Sequence, residues 1–118
     1  MVYPGITMAT KSKKALTDEG FEEIAGRFRL LAEPLRLKLL HALQAGERSV
    51  GELVEATGTS QPNASKQLRA LRAAGLLSRR QEGTTVYYEV ADPSIFDLCE
   101  IVCGGIERDL AQRAKAFR

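Results

Sequence analysis

The 118-residue chain has no tryptophan, a single histidine (His41), two cysteines (Cys99 and Cys103) and an aromatic content of only 6%. Two cysteines are too few for a disulfide framework, and a lone histidine with no cysteine or aspartate at ligand spacing beside it does not make a metal site. His41 stands in a leucine-rich stretch, where a structural role is the simpler expectation. There is no run of about 18 apolar residues and no basic-then-apolar leader, so the sequence reads as soluble and cytoplasmic, with its thiols reduced. There is also no glycine-rich phosphate loop, no nucleophile with a histidine partner and no metal cage, so no catalysis is expected.

What is present is ordinary globular composition, 44% hydrophobic and 27% charged, on a length that suits one domain. The formal net charge of +2 is small, but its distribution is uneven. Between Ser60 and Thr85 the bases Lys66, Arg69, Arg72, Arg79 and Arg80 face Glu82 alone. Between Asp92 and Leu110 the acids Asp92, Asp97, Glu100, Glu107 and Asp109 face only Arg108. The first stretch suits phosphate; the second repels it.

Residues 1–17 carry Pro4, Gly5 and the lysines 11, 13 and 14 without any sustained period, and read as a mobile tail in which Met8 is an alternative start. Residues 18–118 read as the folded domain. Phe21, Ile24, Ala25 and Phe28 give a first helix with acids in its opening turn. Pro34 starts a second helix to Gln44, and its leucines at 35, 37, 39, 40 and 43 span so wide an arc that it should be largely buried. Ser49 with Glu52 forms a capping box for a short third helix, and Ser60 caps a fourth whose first turn holds Pro62. Gly46, Gly58 and Gly75 end the second, third and fourth helices. Leu77 to Arg80 and Thr85 to Val90 read as a β-hairpin around Glu82-Gly83, and Asp92-Pro93 as the cap and opening of a last helix running to about Lys115.

The third and fourth helices, joined by Thr57-Gly58-Thr59-Ser60, form a helix-turn-helix. The fourth helix turns Gln61, Ser65, Lys66, Arg69 and Arg72 outward, as a recognition helix entering a major groove would, and the basic hairpin behind it forms a wing. The stretch Ser60 to Leu77, with Gly83 and Tyr87-Tyr88 in the hairpin and Ala32-Glu33-Pro34-Leu35-Arg36-Leu37 upstream, resembles the ArsR/SmtB family of dimeric winged-helix repressors over about residues 20 to 110. The resemblance implies that Gln61, Ser65 and Lys66 contact bases and that Arg69 and Arg72 contact phosphate. Ser60, Asn63, Arg79 and Arg80 complete the candidate DNA-binding set. The expected fold class is α+β, mainly α, a winged helix-turn-helix forming a homodimer through its first and last helices and binding a double-stranded inverted-repeat operator.

Two thiol positions of the family's metal-sensing third helix are occupied here by Ser49 and Gly51. In the zinc pattern of the last helix only Asp92 remains, with Gly105 and Arg108 at the other positions. The remaining effector candidates are Cys99 and Cys103, four residues apart on one helix face. As packing residues they continue the apolar stripe of Ile95, Val102 and Ile106. As ligands they suit a soft centre such as As(III), Sb(III) or Hg(II), and as reactive thiols an oxidant or sulfane sulfur. The acids Asp97, Glu100 and Glu107 should raise their pKa. Gly104-Gly105 suits either a close helix crossing or a compliant segment. A constitutive DNA-binding protein with no effector, or a winged-helix module that docks protein, are the alternative functions.

Overall fold

A computed structural model describes residues 15–117. Most of the expected tail therefore lies outside the described residues. Five α-helices and a small antiparallel sheet follow in the order α1 (Asp18–Leu31), α2 (Pro34–Ala42) with a 3-10 turn (Leu43–Ala45), β1 (Arg48–Ser49), α3 (Val50–Thr57), α4 (Gln61–Ala73), β2 (Leu77–Glu82), β3 (Thr85–Val90) and α5 (Ser94–Ala116). Leu16–Asp92 forms one compact unit, and α5 belongs to a second.

Local chemistry sets the helix boundaries. Thr17 Oγ1 accepts the Gly20 N–H at 3.1 Å and caps α1, while Glu33 Oε2 accepts the Arg36 N–H at 3.1 Å and caps α2 ahead of Pro34. The Ser49/Glu52 capping box is complete: Ser49 Oγ accepts the Glu52 N–H at 3.1 Å, and Glu52 Oε1 accepts the Ser49 N–H at 2.9 Å. Gly58 leaves α3 at φ +72°, the left-handed conformation that reverses the chain between the two helices of the motif at little steric cost.

The core of the larger unit is built from leucine. Leu39, Leu40, Leu43, Leu53, Leu68, Leu71 and Leu76 are fully buried, one group from each of α2, α3, α4 and the strand entry. Burial of each stabilises the fold by about 1.5 to 3 kcal/mol. Their common contact fixes the inner face of α4 and turns its polar face outward. One side of α2 remains in solvent: Leu37 is 40% exposed and His41 is exposed, so the expectations of a largely buried helix and of a packed His41 are both corrected. A helix this short, resting on neighbours along one side only, cannot bury a full circle of residues.

The sheet order is β1-β3-β2, with β2 and β3 paired from Leu77↔Val90 to Glu82↔Thr85 and β1 added through Arg48↔Tyr88 and Ser49↔Tyr87. Sequence pattern did not reveal β1, because two residues show no alternation. β2 runs two residues further than expected, to Glu82. Helix α5 is assigned from Ser94, and the preceding Pro93 already has helical dihedrals (φ −67°, ψ −12°). Helix α5 continues unbroken through Gly104 and Gly105, where an added Cβ would meet only the guanidinium of Arg108, at 3.4 and 3.9 Å. Its Val102, Ile106 and Leu110 recur every fourth residue and are each more than half exposed, as are Phe21 and Phe28 of α1.

Candidate nucleic-acid interface

Helix α4 presents Gln61, Asn63, Lys66, Arg69 and Arg72 to solvent, with Ser65 half-buried at the foot of the wing. Ser60 and Asn63 act first on the helix itself. Ser60 Oγ accepts the Asn63 N–H at 3.3 Å, and Asn63 Nδ2 donates to Thr59 Oγ1 at 3.0 Å, closing the turn that aims α4. Ser65, Arg69, Arg72 and Arg79 converge on a cleft of about 220 Å³ between α4 and the wing, floored by Val50, Val86 and Tyr88. Among the described residues Lys66, Arg69, Arg72 and Arg79 make no salt bridge, so their charges are uncompensated on this face.

Successive strand residues point to opposite faces, so Arg79 and Arg80 part company. Arg79 lines the cleft, holding only Gln81 Oε1 at 3.3 Å. Arg80 is engaged elsewhere: Nε and Nη2 donate to the two oxygens of Glu47 at 3.1 and 2.7 Å, Nη1 donates to Glu82 at 2.8 Å, and the guanidinium stacks 4.5 Å above the Tyr87 ring. Hydrogen bonding from Arg80 lowers the Glu47 pKa, and the two carboxylates raise that of Arg80. The bidentate geometry makes this contact a brace between the start of β1 and the wing. Arg79→Ala is therefore expected to lower the salt slope of DNA binding by about one per contact removed. Arg80→Ala, whose charge is already paired with Glu47 and Glu82, should lower that slope less, and salt titration of fluorescence anisotropy separates the two.

Arg36 and Gln67 carry a role that sequence reading did not assign. Arg36 Nε donates to Gln67 Oε1 of α4 at 2.7 Å, and its Nη1 donates to the Leu30 carbonyl at the end of α1 at 3.1 Å. A charged residue in the leucine-rich second helix was the available signal, but its partner lies 31 positions away.

On α5 the two cysteines are free thiols, Cys99 half-buried and Cys103 exposed. The Cys103 thiol donates to Glu107 Oε1 at 3.5 Å. That hydrogen bond, together with the nearby charge of Glu107 and then of Glu100, pushes the Cys103 pKa above the ordinary thiol range. Less of it is thiolate at a given pH, so Cys103 should alkylate more slowly than a free cysteine at pH 8. Glu107→Gln should speed the reaction with iodoacetamide, and equal rates in the two proteins would contradict the assignment. No group of three His, Cys, Asp or Glu able to hold a metal ion occurs among the described residues. Two thiols on one turn suit a two-coordinate soft ion, whereas a trivalent metalloid takes three thiolates and would need a further ligand.

The family model described as bacterial regulatory protein, arsR family, matches residues 33–79, from the start of α2 to the wing. An HTH-type transcriptional regulator of Mycobacterium tuberculosis, itself uncharacterized, is 37% identical over 87 residues, 73% of this chain and 76% of that protein. The chain belongs to the ArsR family. It is a DNA-binding transcriptional regulator with a winged helix-turn-helix fold. A probable mercury resistance operon repressor of Streptomyces lividans is 46% identical over 71 residues, spanning 60% of this chain and 57% of that protein. The solution structure of a homodimeric winged helix-turn-helix DNA-binding domain from Mycobacterium bovis has a TM-score of 0.70 at 32% identity, covering 83% of this chain and 94% of that one. The crystal structure of an antimony-specific transcriptional repressor has a TM-score of 0.74 at 27% identity, covering 90% and 96%. No helix among the described residues is long and apolar enough to cross a membrane.

Proposed function

We propose that this ArsR-family chain represses transcription as a homodimer bound to an inverted-repeat operator, and that thiol chemistry at Cys99 and Cys103 releases it. The observation that carries the DNA-binding part is the unpaired cationic face of α4 and Arg79 around one cleft. Gln61, Ser65 and Lys66, near the start of α4, read base edges, while Arg69, Arg72 and Arg79 hold phosphate. The exposed apolar residues of α1 and α5 support dimerisation, because isolated large apolar side chains at helical spacing are stabilised by a partner's surface.

Mercury and antimony in the names of two relatives support a soft ion as the effector class, As(III) or Sb(III) included. Coordination displaces the thiol protons, so the raised Cys103 pKa makes binding strengthen as pH rises. A gel shift with reduced protein, repeated with Hg(II), As(III), peroxide and polysulfide, tests the reading. The variant Cys99→Ser, Cys103→Ser should bind DNA and ignore all four. Normal induction of that variant would place the sensor elsewhere, and loss of dimer in sedimentation would make the cysteines packing residues.

A further inference from the structure

The sole histidine, exposed rather than in the core, lines a groove separate from the cleft between α4 and the wing. Between α2 and α3 lies a depression of about 610 Å³. Lys38, His41 and Arg48 stand on its walls, and Leu37, Ala42 and Ala56 supply apolar surface. It shares no lining residue with the cleft between α4 and the wing. Two of its basic residues, Lys38 and Arg48, make no salt bridge among the described residues, and Leu37 is 40% exposed. The groove thus combines apolar surface with basic residues along its lining, in a volume within the usual range for small-molecule sites of about 300 to 1,000 Å³.

We infer that this groove binds a small amphipathic organic anion, a carboxylate or sulfonate carrying an aliphatic or aromatic body. The anionic head would lie among Lys38, His41 and Arg48, which line the groove together while no carboxylate lines it. The body would cover Leu37 and the alanines, removing exposed apolar surface from water. Neither part suffices alone. A free inorganic anion leaves the apolar floor uncovered, and a neutral amphiphile leaves the cations unused. Ala56 and Thr57 close the groove at the end of α3, directly before the Gly58 reversal into α4, so an occupant touches the element that sets the angle of the recognition helix.

The test uses decanoate as the probe, followed by calorimetry and by amide and methyl shifts of the full chain at fixed ionic strength. Decanoate is expected to bind with shifts at Ala42, Ala45 and Ala56, while decanol and inorganic phosphate bind at least tenfold more weakly. Lys38→Gln with Arg48→Gln should weaken decanoate at least tenfold, and Arg72→Gln, on the other basic face, should not change it. Binding that tracks Arg72 instead, phosphate equal to decanoate, or shifts confined to α1 and α5 would each overturn the inference. So would a lowered salt slope for operator DNA in the Lys38→Gln, Arg48→Gln variant, since these residues would then be phosphate contacts. The experiment needs no operator or thiol effector, so its failure leaves the repressor reading untouched.

Discussion

Leu68→Ala is expected to lower the unfolding free energy by about 2 to 5 kcal/mol, the range for removing a fully buried leucine from a close-packed core. Leu68 is wholly inaccessible, on the inner face of α4 among the core leucines. Domains of this size have only about 5 to 15 kcal/mol of stability, so one such cavity consumes a large part of it. Urea unfolding at fixed protomer concentration should show a lower midpoint with an unchanged slope. Leu37→Ala is the control: at 40% exposure it leaves a smaller cavity and should cost distinctly less. A Leu68→Ala loss no larger than that of Leu37→Ala would mean that α4 is not seated on this core.

The second large effect is electrostatic. Arg69, Arg72 and Arg79 share one cleft and have no acidic partner among the described residues. On the proposed interface, the triple alanine variant should remove three phosphate contacts from each half-site. At about 0.9 per contact in log K against log salt, a dimer with two copies of each should lose roughly 5 from its slope, and at about 0.1 M salt its affinity should fall at least a thousandfold. Because all three side chains are exposed or at the protein's rim, circular dichroism should show an undisturbed melt. The loss should be similar on operator and random DNA, in contrast to Gln61→Ala, which should remove about 1 to 3 kcal/mol of sequence discrimination. An unchanged salt slope in the triple variant would place the DNA elsewhere on the molecule.

The helix-turn-helix was legible in the sequence because its signals are local: Ser49 with Glu52, Ser60 ahead of Pro62, and the glycines at 58 and 75 each act within one turn of the chain. The outward face of α4 followed from the spacing of Ala64, Leu68 and Leu71, all three buried. The features that were not legible depend on distance in sequence. The pairing of Arg80 with Glu47, 33 residues away, has no local signal, and Arg36 needed Gln67 to reveal its place. β1 was hidden by its length, and the exposure of His41 by an apolar composition that says nothing about which side of a short helix meets a neighbour.

The position of β3 in the middle of the sheet leaves β2 as the long outer strand, with one row of backbone N–H and C=O groups open to other chains. Such a row is a template for runaway strand addition. Here the outer strand reads Leu77-Ser78-Arg79-Arg80-Gln81-Glu82, exposed at every position after the first. A second copy stacking alongside would have to bring its own Arg79 and Arg80 against these, so the arginines of the wing also keep the strand soluble. Replacing the arginines with valine would retain strand propensity and remove that repulsion, converting the wing into an aggregation edge.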